Sequence, residues 1–259
     1  MTISCHSRKI CVSVFIIVAV ILPSSINAGP PFVTDDPEPV DYRHWEFYLA
    51  SQVGHESDGW SGTCPHIELN YGAIPNLQLH LIAPINFSAP KHGTTQFGYG
   101  DTEIGVKYRF MDETAHHPQM GLFPIIEIPT GDRGRDLGGG QFQMFLPLWI
   151  QKSIGAEGRE WTSYGGAGYW INPGSGNRDW WLIGWLLQRR LNSILTMGIE
   201  LFHTTPDTIE GESGTKLNMG AILDLSDSYH FLFSAGNSVQ GSSGFESYVA
   251  LQTTLGPRR

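Results

Sequence analysis

Four charged side chains share one face of the segment GYGDTEIGVKYRF, residues 98–110. They are Asp101, Glu103, Lys107 and Arg109. The alternate positions carry large apolar side chains, namely Ile104, Val106, Tyr108 and Phe110. Because successive side chains of a strand point to opposite faces, this strand has one charged and one apolar face. Such a strand suits a soluble sheet with charges in water, or a membrane barrel with charges around a wet lumen.

Other chemistry fits the sequence less well. Glu103 and Glu127 could act as the two carboxylates of a glycosidase, but in a barrel they are more simply wall charges. The segment GDRGRDLGGG lacks the Gly-Lys-Ser/Thr ending of a phosphate loop, so it is expected to be a flexible outer loop with its charges in water. His116 and His117 adjoin on a short turn without the ligand spacing of a metal site. The sequence therefore predicts no catalytic residue, no cofactor and no metal.

The N-terminal 28 residues have the layout of a secretory signal peptide. Arg8 and Lys9 precede an apolar run, which is followed by small residues before the expected cleavage after Ala28. Removing this segment takes the formal net charge from −9 to −11 and leaves Cys64 as the remaining cysteine. One cysteine provides no internal disulfide framework, and an acidic chain is a poor partner for nucleic acid.

The sequence of the mature chain has the pattern of β-strands, with little helical periodicity. Residues 29–41 (GPPFVTDDPEPVD) contain four prolines and four acids, so they are expected to form an extended, solvated periplasmic leader. Turn residues separate twelve candidate strands, which centre on residues 44–53, 66–73, 76–85, 100–110, 119–128, 141–150, 159–171, 179–189, 193–203, 216–225, 229–236 and 245–255. Most have about ten residues, enough to cross a hydrocarbon layer with tilt.

The connections alternate between long and short along the chain. Gly/Ser/Thr-rich segments such as GHESDGWSGTCP and TTPDTIEGESGT are long, and the links IPN, LN and SDS are short. Antiparallel neighbours place alternate connections at the same end, and outer-membrane barrels have short turns at one end and longer loops at the other. We therefore predict an all-β fold, an antiparallel up-and-down transmembrane barrel of about 12 strands over residues 42–259.

The alternation also predicts which charges line the lumen. These are Glu46, Glu68, Asp101, Glu103, Lys107, Arg109, Glu127, Arg190, Glu200 and Glu246. Their acidic excess predicts a weak preference for cations or neutral solutes. Arg190 and Glu200 lie in adjacent predicted strands and are expected to pair. The segment QMGLFPIIEI is apolar on both faces, which predicts a bulge at Pro124 or an inner apolar patch of Phe123 and Ile125.

Aromatic side chains concentrate near the predicted strand ends, as in the girdles of membrane barrels. The set expected at the short turns is Trp45, Phe47, Tyr108, Phe110, Trp149, Trp161, Tyr229 and Phe231. The set expected at the long loops is Tyr169, Trp170, Trp180 and Trp181.

The order of several motifs resembles the bacterial transporter-like outer-membrane family named for the MetA pathway of phenol degradation. They include PPFVTDDPEP, IPNLQLHLIAPI, GYGDTEIGVKYRF, IIEIPTGD, SYGGAGYWINP, WLIGWLLQRRL, MGIELFH and LNMGAILDLSDSYHFLFSAG, and they cover nearly all of the mature sequence. The resemblance implies a membrane-inserted barrel that passes small, often aromatic or hydrophobic molecules, without catalytic residues. The ending LGPRR departs from the aromatic terminus usual in bacterial barrels.

The sequence thus predicts a non-enzymatic channel in the bacterial outer membrane, with membrane lipid and small solutes as partners and no nucleic acid. Two alternatives stay open. One is a membrane-embedded barrel enzyme such as a lipid hydrolase, and the other is a soluble, secreted ligand-binding barrel. The permeant, the oligomeric state and the state of the lumen, open or plugged, are not fixed by the sequence.

Overall fold

The structure is a computed structural model that describes residues 30–155, 161–241 and 244–257. The predicted signal peptide, residues 1–28, lies outside the described residues. The described chain contains fourteen β-segments: β1 (Trp45–Glu56), β2 (Gly59–Ile74), β3 (Leu77–Pro90), β4 (Gln96–Tyr99), β5 (Thr102–Met111), β6 (Gln119–Leu122), β7 (Ile125–Ile128), β8 (Gln143–Ile154), β9 (Trp161–Ile171), β10 (Trp180–Arg190), β11 (Leu195–Thr204), β12 (Gly214–Asp224), β13 (Tyr229–Gly241) and β14 (Phe245–Leu255).

These segments form a closed antiparallel barrel. Segments β4 and β5 follow one another along the same edge of β3, and β6 and β7 both lie between β5 and β8. Each pair therefore acts as one strand with a break, so the barrel has the twelve strands that the sequence predicts. Segment β14 pairs with β1, which closes the sheet and leaves no free edge. No helix in the described ranges has the length and apolarity needed to cross a membrane.

Strand ends differ from the prediction where the chain is rich in Gly, Ser and Thr. The predicted first long loop is a paired hairpin, because β1 runs to Glu56 and β2 already begins at Gly59. Cys64 therefore lies within β2 and is exposed. The expected irregularity at Pro124 is present as the break between β6 and β7. Proline has no N–H to donate, and its carbonyl accepts the Val106 N–H at 3.1 Å.

The two faces of the barrel wall have the polarity predicted from the alternation. Large apolar side chains cover the outside, with Leu49 57%, Trp185 51% and Leu201 50% exposed. Polar side chains are buried inside, and Gln188 is 1% exposed and Glu200 is not exposed at all. The soluble alternative requires the opposite arrangement, because it would bury the apolar register around a ligand. This outer surface suits hydrocarbon rather than water.

The predicted aromatic girdles are confirmed in part. Trp45, Tyr108 and Tyr229 are exposed on the outer face near the short turns. At the opposite end Tyr169 and Trp181 lie together with ring centroids 4.9 Å apart.

The prediction is wrong for Trp149, Trp170 and Trp180, which take part in apolar packing inside the barrel. Trp149 is only 1% exposed. Trp170 follows the inward register of the fully buried Tyr164, and Trp180 follows that of Leu182. Position near a strand end therefore mattered less for these rings than the face of the strand.

Candidate functional site

The lumen contains the first residues that the structure describes, 30–41, which we call the lumen segment. Thr34 and Asp36 in it are fully buried, so the prediction of a solvated leader is wrong. The chain reaches the lumen from the short-turn end. There Tyr42 forms an isolated bridge with Gly72, and the Arg43 N–H donates to the Gly72 carbonyl at 2.7 Å.

Polar contacts hold the lumen segment to several sides of the inner wall. On β3, the Gln78 side-chain oxygen accepts the Val40 N–H at 2.9 Å. On β13, the Ser234 hydroxyl donates to the Pro31 carbonyl. These strands lie far apart around the barrel, so the segment crosses the lumen instead of following one wall.

Inward-facing glycines allow this close approach. A Cβ added at Gly198 would lie 2.7 Å from the Phe32 ring, and one at Gly220 would lie 2.9 Å from it. A Cβ at Gly184 would overlap the Thr34 hydroxyl. The wall therefore has recesses at these positions that side chains of the lumen segment occupy.

Three of the ten predicted lumen charges bind the lumen segment directly. Lys107 Nζ lies 3.0 Å from an Asp35 oxygen and 3.7 Å from an Asp36 oxygen. Arg109 lies 3.6 Å from Glu38. Burial raises the pKa of the Asp36 and Glu38 carboxyls, and the charges of Lys107 and Arg109, respectively, oppose that shift.

The third of these charges is Glu200, which binds main-chain groups. Its carboxylate accepts the Val33 N–H at 3.3 Å and also the Thr34 N–H, and it receives the Asn218 side-chain amide at 3.0 Å. The expected pair between Arg190 and Glu200 is absent, because Arg190 binds Asp224 at 3.3 Å.

Other predicted lumen charges are bound within the inner wall. Glu46 accepts the Tyr48 hydroxyl at 2.8 Å, and Glu68 accepts the Asn70 side-chain amide at 2.7 Å. Glu246 lies 3.1 Å from Lys216 Nζ. Glu103 and Glu127 stand directly opposite one another on β5 and β7.

Asp101 has a different place from the one predicted. Its carboxylate accepts the N–H groups of Gly131 and Gly139 at 2.8 and 2.6 Å, so it holds the long loop between β7 and β8. The charged side chains of that loop are exposed, as expected. Leu137, however, is 1% exposed and its carbonyl accepts the Asn86 side-chain amide at 3.0 Å. The loop is therefore fastened to the mouth of the barrel.

A chamber of about 270 Å³ remains between the lumen segment and the long-loop end. Its lining includes an apolar wall of Phe123, Phe145 and Trp149, and also the carboxylates of Glu68, Glu103 and Glu246. The predicted inner patch of Phe123 and Ile125 is confirmed, because both belong to this apolar packing. A smaller cavity of about 30 Å³ lies against the lumen segment and is lined by Glu38, Glu46 and Lys107 among others.

A column of stacked rings adjoins the apolar wall. The rings of Phe145 and Trp170 are stacked with centroids 4.8 Å apart, and Trp170 and Trp180 are stacked at 5.5 Å. Both tryptophans belong to the girdle that the sequence predicts at the long loops. Their registers with Tyr164 and Leu182 were the signal that could have placed them inside.

Comparisons with known proteins identify the fold. No protein-family model matches the sequence, and no curated protein matches it. A crystal structure of an outer membrane channel from Pseudomonas putida F1 is similar, with a TM-score of 0.65 and 16% identity, over 85% of this chain and 98% of that one.

Two porins are also similar in structure. The KdgM porin, in complex with disordered oligogalacturonate, has a TM-score of 0.55 and 9% identity over 80% of this chain and 98% of that one. The NanC porin has a TM-score of 0.53 and 7% identity over 80% of this chain and 100% of that one. The chain therefore has the fold of outer-membrane β-barrels.

Proposed function

We propose that this protein is an outer-membrane channel for small solutes whose lumen is closed by residues 30–41. The observation that carries the proposal is the fit of the lumen segment to a charged inner wall inside an apolar outer surface. Lys107, Arg109 and Glu200 hold the segment through side-chain contacts. Such contacts can be exchanged for water while the barrel hydrogen bonds stay intact, so opening does not require unfolding of the wall.

The solutes that we propose are small and neutral or cationic, with apolar or aromatic parts. The apolar wall of the chamber and the stacked Trp170 and Trp180 support an apolar part. The resemblance to the MetA-pathway family points to the same class. The predicted pore-lining charges are mostly acidic, which favours cations over anions.

In the proposed orientation the short turns face the periplasm and the long loops face the outside of the cell. The lumen segment then enters from the periplasmic side. Cys64 lies in the extended hairpin of β1 and β2 at the long-loop end and is exposed. An impermeant thiol reagent added to whole cells should therefore label it, and labelling only after cell lysis would contradict this orientation.

Removing the lumen segment is the direct test of the proposed function. A variant lacking residues 30–40 should fold to the same heat-modifiable barrel and admit small solutes into liposomes much faster than the full-length protein does. In planar bilayers it should show stable, weakly cation-selective conductance. Folded barrels that stay closed to all solutes after this deletion would contradict the proposal, and anion preference would contradict the selectivity.

A further inference from the structure

We propose that the chamber binds small organic ammonium ions that carry an aromatic or compact apolar body. This inference rests on the proposed channel function and names the class of solute that the lumen recognises. It follows from three features of the chamber, which are its mixed apolar and acidic lining, an opposed pair of carboxylates and a buried histidine nitrogen.

The chamber presents apolar surface and carboxylate to the same molecule. Phe123, Phe145 and Trp149 supply apolar lining, and Glu68 on β2 and Glu103 on β5 supply carboxylates to the same cavity. Lys107 Nζ already lies over the Phe123 ring, 4.9 Å from its centroid, so the rings left to attract a further cation are those of Phe145 and Trp149. Apolar contact surface favours an organic body over a hydrated metal ion. Its volume of about 270 Å³ is below the range of drug-sized pockets, so a molecule with one ring and a short chain fits.

Glu103 and Glu127 form the second feature. They are directly opposite partners on neighbouring strands, and like charges in that position are destabilising. Over the part of the chain that the structure describes, no ion pair or hydrogen bond engages either carboxylate, whereas Glu246 has Lys216 and Glu200 has the lumen segment. A cation beside Glu103 would relieve this repulsion.

His80 is the third feature and is independent of the acidic residues. It lines the chamber, is 8% exposed, and its ring lies edge-on to Phe123 with centroids 5.1 Å apart. The Asn70 amide donates its N–H to Glu68, so its oxygen is the atom that meets His80 Nδ1 at 2.7 Å. Nδ1 is therefore the donor, by assignment from the hydrogen-bond network.

This tautomer leaves His80 Nε2 as a bare acceptor. Nε2 is buried and has no partner among the described residues. A group that satisfies it must donate a hydrogen bond, and the nearby Glu103 carboxylate also requires a donor. A primary or secondary ammonium group supplies both a positive charge and more than one N–H, whereas a carboxylate supplies neither. The chamber therefore selects against anions of the same shape.

Three probes with the same ring and nearly the same length test this selection. They are 2-phenylethylammonium, 3-phenylpropan-1-ol and 3-phenylpropionate, titrated calorimetrically into the full mature protein in detergent. We expect the ammonium ion to bind at least about tenfold more tightly than the alcohol or the carboxylate. Equal affinities of the three probes, or binding of none of them, would show that the chamber does not recognise an ammonium group, and would overturn the inference.

Matched variants locate the binding. Glu103→Gln combined with Glu127→Gln should reduce the ammonium affinity to that of the alcohol, and Glu103→Asp should retain part of it. Glu113→Gln is the control, because Glu113 pairs with Lys152 at 3.1 Å near a short turn. Unchanged ammonium affinity in the doubly substituted protein, with heat-modifiable gel mobility retained, would also overturn the inference.

The two proposals can fail separately. A deletion variant that conducts solutes while the full chain shows no ammonium preference leaves the channel function intact and removes the chamber specificity. If the full chain binds ammonium selectively but the protein never conducts, even without its lumen segment, the chamber specificity is supported and the channel function is contradicted.

Discussion

Replacing Lys107 by Met should open the lumen. Lys107 is 4% exposed and lies 3.0 Å from Asp35 and 3.7 Å from Asp36. Methionine keeps most of the length and the apolar stem, but it removes the charge, which also lies over the Phe123 ring with Nζ 4.9 Å from the ring centroid. Two acids of the lumen segment then lose their counter-ion while the segment is docked, and undocking returns them to water.

The size of the effect follows from the burial of this contact. Truncating one partner of a buried, hydrogen-bonded charge pair costs roughly 2 to 5 kcal/mol. The lower value corresponds to a change of about 30-fold in the ratio of undocked to docked segment. Liposome swelling with a small neutral solute should therefore accelerate markedly in K107M, toward the rate of the variant without residues 30–40.

Two further variants make the Lys107 experiment specific. Lys152→Met is the matched control, since Lys152 pairs with Glu113 at 3.1 Å and donates to the Thr114 carbonyl. It should leave the swelling rate unchanged. Adding Asp35→Asn and Asp36→Asn to K107M should restore part of the closure. If K107M swells no faster than the wild type while the deletion variant does, the charge contact does not hold the segment.

Two other substitutions test the close packing and the outer surface. Gly198→Val places methyl groups where the Phe32 ring lies, so it should raise solute influx into liposomes. Gly54→Ala meets only ordinary contacts and should leave the influx unchanged. Equal liposome swelling rates for the two variants would contradict the close packing of Phe32 on Gly198. Ile199→Arg, at the middle of an outward face, should lower the free energy of unfolding in bilayers by roughly 2 to 4 kcal/mol, as measured by denaturant titration. Ile209→Arg, in an exposed loop, should change it little, and similar losses at both sites would argue against a lipid-facing Ile199.

The strand number and the register could be predicted because both are local properties. A period of two along each strand states which side chains share a face, as at Ile104 and Lys107, and turn residues mark the ends. The full lengths of β1 and β2 could not be predicted, because residues 61–63 (SGT) and their neighbours have the composition of a loop and yet continue the backbone hydrogen bonding between the two strands. Pairing with the adjacent strand decides this, and local propensity is a weak guide to it.

The position of the lumen segment could not be predicted from its own composition. Prolines and acids such as Asp35 and Glu38 are typical of solvated, extended chain. Their burial depends on Lys107 and Arg109 and on space at Gly184, all far away in the sequence. These partners come together only when the barrel closes.

The proposed channel requires hydrocarbon outside the barrel wall and a polar lumen inside it. Nitroxide labels placed singly along β10, residues 181–188, in a Cys64→Ser background and in lipid bilayers test it by their accessibility to oxygen and to a water-soluble nickel chelate. Labels at Trp181, Ile183, Trp185 and Leu187 should be exposed to oxygen and protected from nickel, whereas labels at Leu182, Leu186 and Gln188 should show low oxygen exposure. Loss of this two-residue period, or its reversal, would contradict the account.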